Sequence, residues 1–232
     1  MKKVFVSIFI FAVGFISAQT INQLDADGMR HGIWKKYYEN TTILRYEGEF
    51  NHGKEIGLFK YYKNVDQKAS LTATKQFNET NNKSYVTFFT SKGKVVSEGQ
   101  MDGKLYIGEW KYYQKNSNKL LTLENYDDEG LLNGDRSVYY ENGQIAEKQF
   151  YVHGQLEGDS VWYSEKNIVL KEFQYVNGVL HGLSKFYNPK GELILEGSYK
   201  RGKKDGIWKT YENGKLIEEK DFTYKPKYIK KT

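Results

Sequence analysis

Four histidines, a recurring set of glutamates and two short acidic runs are the side chains of this 232-residue chain that could do chemistry. A zinc centre would draw on His31, His52, His153 and His181, and it needs three or four ligands within about 2–2.3 Å of one point. His52 and His153 each stand before the first glycine of a recurring pair, Gly53 and Gly154, and His31 and His181 before the second, Gly32 and Gly182. Such residues repeat along the chain rather than converge, so they read as turn residues and no metal is expected. Glycoside hydrolysis would need two carboxylates about 5–10 Å apart. Glu47, Glu98, Glu147, Glu172, Glu196 and Glu219 recur in phase and would meet that spacing almost anywhere, which makes pairing with lysines on neighbouring strands the simpler reading. Asp25-Ala26-Asp27-Gly28 and Asp127-Asp128-Glu129-Gly130 open like a calcium loop but lack the later spaced acidic ligands. There is no Gly-x-Ser-x-Gly, His-Glu-x-x-His or Walker-type loop. The absence of cysteine excludes disulfides, thiol nucleophiles and Cys-zinc or iron–sulfur centres. The expectation is a protein with no catalytic residues and no cofactor.

What positions these side chains is a repeat. Glycines four residues apart recur as Gly28/Gly32, Gly53/Gly57, Gly130/Gly134, Gly154/Gly158, Gly178/Gly182 and Gly202/Gly206, with Gly103/Gly108 one residue longer. From Gly130 onward the period is 24 residues. Five residues after the second glycine stands a tyrosine: Tyr37, Tyr62, Tyr113, Tyr139, Tyr163, Tyr187 and Tyr211. Two residues after it stands Trp34, Phe59, Trp110 or Trp208, and in three copies a polar or small residue. A turn signal follows, clearest as Asn142-Gly143 and Asn213-Gly214, and then a second run ending in an aromatic residue. Short aromatic and β-branched runs around Asn-Gly point to β-hairpins with type I′ turns. About eight such units fill residues 24–222. The copy at 78–101 is degenerate, with Asn78 and Asn82 where left-handed glycines would be.

The fold class expected is therefore all-β, with tandem hairpins of about 24 residues stacked into one elongated, twisted antiparallel sheet. The recurring tyrosines would form a structural ladder, ring upon ring. Trp34, Phe59, Trp110 and Trp208 are the candidate binding face, because their slot is not aromatic in every copy. With 39% hydrophobic residues, 16% aromatics and only 2 prolines, the chain has enough apolar surface to fold, which excludes disorder.

The two ends differ from the repeats. Lys2 and Lys3, the apolar run Val4 to Ile16 and the small residues Ser17-Ala18 make residues 1–18 a signal peptide, so the mature protein is expected to be periplasmic or extracellular. Residues 223–232 form a basic tail in which Lys225, Lys227, Lys230 and Lys231 could make a weak contact with anionic lipid or polysaccharide. Export makes nucleic acid an unsuitable partner.

Residues 202–219, Gly-Lys-Lys-Asp-Gly-Ile-Trp-Lys-Thr-Tyr-Glu-Asn-Gly-Lys-Leu-Ile-Glu-Glu, closely resemble the MORN repeat (membrane occupation and recognition nexus) in its bacterial variant form. Gly130 to Phe150 and Gly28 to Phe50 are similar to further copies. The resemblance implies successive hairpins and a role in binding rather than catalysis, and the extended aromatic and charged face, without a catalytic constellation, points to an exported scaffold for a protein or an envelope polymer. It also brings in the bacterial group of YwqK-like, antitoxin-type chains, whose members would neutralise a partner toxin. An export signal does not suit a cytoplasmic antitoxin.

Overall fold

The computed structural model describes residues 20–115 and 117–224; the expected signal peptide and the four tail lysines lie outside them. All regular structure among the described residues is strand, in one antiparallel sheet of nineteen. Eight outgoing strands (Arg30–Tyr37, Lys54–Val65, Lys83–Phe89, Leu105–Tyr113, Gly134–Tyr139, Gly158–Tyr163, Gly182–Tyr187 and Lys203–Glu212) each lead into a return strand. The return strands are Leu44–Asn51, Lys68–Phe77, Val95–Asp102, Leu120–Tyr126, Ile145–Val152, Val169–Val176, Leu193–Lys200 and Lys215–Asp221. Each strand pairs with its neighbours in sequence, so the sheet grows by stacking.

Left-handed backbone explains the glycine pairs. The junction turns His52-Gly53, His153-Gly154, Asn177-Gly178 and Arg201-Gly202 carry positive φ at both residues (45° and 75°, 44° and 77°, 49° and 75°, 51° and 77°), the type I′ geometry that matches strand twist. Within the hairpins, Asn213-Gly214 also follows this geometry, but at Asn142-Gly143 only the glycine is left-handed and a bulge falls beside Tyr139. The degenerate copy departs from expectation, since neither Asn78 nor Asn82 is left-handed. Its junction is held instead by side chains: the Asn78 carboxamide oxygen accepts from Thr80 N at 2.9 Å and that of Asn81 from Lys83 N at 2.9 Å. An Asx-type loop thus replaces the glycine turn.

Because side chains alternate across a strand, the register sorts the repeat onto two faces. On one face, directly paired residues run across sixteen strands as Lys35, Glu47, Lys60, Thr74, Thr87, Glu98, Lys111, Leu123, Ser137, Lys148, Val161, Glu172, Lys185, Glu196, Lys209 and Glu219. On the other face lies the core, with Phe59, Val86 and Trp110 fully buried, Trp208 2% exposed and Phe50 3% exposed. A single-layer sheet buries these rings by covering them with the rings of adjacent strands. Tyr106 stacks on Trp110 with centroids 3.9 Å apart, and Phe88, Tyr112 and Tyr126 pack around it.

Candidate functional site

The aromatic slot is interior. Phe59, Trp110 and Trp208 are sealed, and Trp34, at the first hairpin, is half-buried with its ring edge-on to Phe50. The expectation that these four rings form an exposed binding face is therefore corrected for the three buried ones. The reason is a glycine that sequence reading passed over. Each buried ring lies on a glycine of the preceding return strand, eleven residues earlier: Phe59 on Gly48, Trp110 on Gly99, Trp208 on Gly197. A Cβ at those glycines would come within 2.4, 2.5 and 2.2 Å of ring carbons. The ladder register breaks beside each of these glycines, and the aromatic ring fills the break. Trp110 Nε1 donates to Gln100 O at 2.8 Å and Trp208 Nε1 to Ser198 O at 3.1 Å.

Three copies carry a polar or small residue in the slot instead. Their slot residues are Arg136, Ser160 and Ser184, and the residues facing them on the preceding return strand are Glu124, Gln149 and Phe173. At Ser184 the sizes are exchanged, with Phe173 filling the space from the return strand against Phe186 and Trp162. At Arg136 a polar network stands where a ring would be. Arg136 Nε donates to Glu124 Oε1 at 3.0 Å and Arg136 Nη1 to Gln149 Oε1 at 3.2 Å, with Glu147 3.9 Å away. Tyr126 donates to Glu124 Oε2 at 2.6 Å and Tyr151 to Gln149 Oε1 at 3.0 Å. Burial, reinforced by Glu124, pushes the Tyr126 hydroxyl well above its ordinary range. The carboxylate, guanidinium and amide satisfy one another, so the network reads as an internal clamp rather than a reactive centre.

The recurring tyrosines lie on the ladder face, and no two of their rings are in contact among the described residues. Two strands per repeat set consecutive copies about 10 Å apart, too far for ring stacking. Their hydroxyls act instead. Tyr62 donates to Glu47 at 2.8 Å, Tyr187 to Glu172 at 3.1 Å and Tyr211 to Glu196 at 2.7 Å, and Tyr113 bonds Glu98 in the same way. Each bond reaches back fifteen residues and ties one hairpin to the last. Burial and then the glutamate bond push Tyr62, Tyr113 and Tyr187 up to about 12. The Tyr62 bond, helped by Lys35 and Lys60, holds the Glu47 carboxyl below the usual range. Tyr37, Tyr139 and Tyr163 occupy the same slot without that partner.

The histidines remain turn residues. His153 Nδ1 lies 3.0 Å from Asp127 Oδ2, and His52 Nδ1 lies 2.8 Å from Asp25 Oδ2. Both aspartates use Oδ1 to accept two backbone N–H groups, Asp27 and Met29 in one turn and Glu129 and Leu131 in the other. Asp25, Asp27 and His52 offer ligand atoms within 4.8 Å of one another. The same carboxylate–imidazole turn recurs at Asp127, where His31 is replaced by Asn133, so the arrangement belongs to the turn.

What the arrangement presents to solvent is the ladder face. Leu58, Val96, Leu121, Phe150, Leu183, Ile194, Ile207 and Ile217 all point there and all are exposed. They flank the Lys–Glu row, in which Lys35 and Lys60 lie 3.5 and 3.7 Å from Glu47.

Three stretches of the chain, residues 30–40, 132–153 and 180–201, match the MORN repeat variant family. That match and the hairpin geometry agree on an architecture of repeated β-hairpins. No curated protein matches the chain. The second and third MORN stretches lie in the copies with Arg136 and Ser184, so the match does not depend on the buried tryptophans. No helix among the described residues is long and apolar enough to cross a membrane.

Proposed function

We propose that this protein is an exported, non-catalytic MORN-type scaffold that binds a protein partner along its ladder face. The observation that carries the reading is the distribution of apolar side chains. Rings on one face are buried in the sheet's own packing, whereas aliphatic side chains on the other stand exposed beside a periodic row of opposite charges. Aliphatic groups among alternating lysines and glutamates suit a protein surface, which can supply both apolar area and complementary charge. Phe59, Trp110 and Trp208 are enclosed and offer no free ring to an envelope polymer. Export rests on residues 1–18 and is tested separately, by fractionating cells and sequencing the N-terminus of the recovered protein.

The binding test is capture from envelope extract with the wild-type chain, an Ile194→Asp/Ile207→Asp variant and a core-face Lys171→Gln variant. A single stoichiometric protein retained by wild type and Lys171→Gln but lost by the ladder-face variant supports the proposal. Retention by all three removes the ladder face as the site. The antitoxin alternative rests on the family resemblance alone. It requires that the captured protein arrest growth when the scaffold is deleted.

A further inference from the structure

The four junction turns that share the left-handed pair allow an internal comparison. Their tips read His52-Gly53, His153-Gly154, Asn177-Gly178 and Arg201-Gly202, and the residues paired across them are Asn51 with Lys54, Val152 with Gln155, Val176 with Val179, and Lys200 with Lys203. Only the last gathers four cations: Lys200, Arg201, Lys203 and Lys204. Two features of it oppose folding. Lys200 and Lys203 are direct cross-strand partners, and like charges so placed destabilise a sheet. Arg201 holds φ 51°, a region that asparagine takes more readily than a long side chain. None of the four is ion-paired among the described residues.

These side chains line a cleft of about 860 Å³ whose other walls are Asp205, Phe222, Thr223 and Tyr224. Tyr224 is 81% exposed. Lys204 Nζ lies 3.8 Å from the Trp208 ring centroid and 5.1 Å from that of Phe222, which fixes one ammonium at the cleft. Unpaired cations call for an anion, and an exposed ring beside them offers a flat apolar surface that an isolated anion would not use. We propose that this cleft binds an acidic saccharide, with its sulfate, phosphate or carboxylate groups on Lys200, Arg201 and Lys203 and a sugar face on Tyr224. The site sits at the tip of one junction turn and does not depend on the protein-binding reading.

The test is titration calorimetry of the full chain with a sulfated, carboxylated heparin hexasaccharide. A neutral dextran oligosaccharide of equal length and phosphatidylglycerol vesicles are the comparison ligands. Lys200→Gln/Lys203→Gln should weaken the hexasaccharide by about tenfold or more, with thermal stability unchanged or raised because a like-charge pair is removed. Lys92→Gln/Lys94→Gln, which removes the same charge at another turn, should leave binding within about twofold of wild type. Tyr224→Ala should weaken the hexasaccharide while leaving pyrophosphate binding unchanged. Equal losses in the two lysine variants would reduce the effect to bulk charge and overturn the site. Vesicle binding without saccharide binding, dextran binding as tight as the hexasaccharide, or an inert Tyr224→Ala would each overturn the ligand assignment.

Discussion

At Gly99 and Trp110 the small residue stands on the return strand and the large one on the next outgoing strand; at Phe173 and Ser184 the order is reversed. Backbone follows side chain. The outgoing strands that carry buried rings, Lys54–Val65, Leu105–Tyr113 and Lys203–Glu212, are unbroken. Those that carry serine are interrupted, as Gln155–Leu156 then Gly158–Tyr163 and Val179–Leu180 then Gly182–Tyr187. Glu157 N and His181 N bond Phe150 O and Gln174 O at these interruptions, both at 2.9 Å. The bulge thus moves from the return strand, where glycine admits a ring, to the outgoing strand. The comparison teaches that what repeats is the combined volume of two facing residues, not the identity of either.

The largest effect should come from filling a glycine seat. Gly99→Val forces branched carbons into Trp110, which is fully buried, and should lower stability by about 3 kcal/mol or more in chemical denaturation. A loss below about 1 kcal/mol would mean the seat is loose. The size exchange can be tested directly at Phe173 and Ser184. Phe173→Gly should cost about 3–5 kcal/mol and Ser184→Trp about 1–3 kcal/mol. The double variant, which recreates the glycine seat, should be more stable than the sum of the two losses predicts. Additive losses in that cycle would show that the two packing modes are not interchangeable.

Between the two modes sits Arg136. Arg136→Leu strands Glu124, whose side chain is 14% exposed, and should cost about 3 kcal/mol, whereas Arg136→Leu/Glu124→Leu should be nearly neutral. A double variant as unstable as the single would show that the network does more than fill the slot. On the ladder face the expected effect is a pH dependence. Tyr62, Tyr113 and Tyr187 are held neutral up to about 12 against an ordinary 10.0. Folding is then favoured below pH 10 by these groups, and that contribution disappears as pH rises from about 10 through about 12. Glu47 acts in the opposite sense, supporting the fold above its ordinary 4.5 and losing that support as pH falls below it. Tyrosinate absorbance during alkaline titration, compared with Tyr113→Phe, checks the first. The smallest effect belongs to Ser160 and Ser184, whose hydroxyls are buried without protein partners. Each Ser→Ala change should raise stability by about 1 kcal/mol, measurable as a shift in denaturation midpoint.

Much of the candidate site was legible in the linear chain, and the part missed has a definite cause. The glycine pairs and recurring tyrosines announce hairpins because a left-handed turn and a short aromatic run are local requirements. The eleven-residue spacing of Gly48 to Phe59, Gly99 to Trp110 and Gly197 to Trp208 was also present, and it pairs an aromatic slot with glycine each time. Reading the slot's variability as exposure overlooked that the compensating residue lies on another strand. Likewise Asn78 and Asn82 suggested left-handed turns, but their junction is closed by Asn78 and Asn81 side-chain bonds, which residue type alone does not specify.

By itself the sequence determined the strand period, the turn positions and the all-β class, since each follows from φ preferences and alternation within some 24 residues. Only the tertiary structure decided which face is core, which tyrosines find glutamates and that Arg136 closes on Glu124. Those outcomes depend on register between strands, where a shift of one residue exchanges every side chain between the faces.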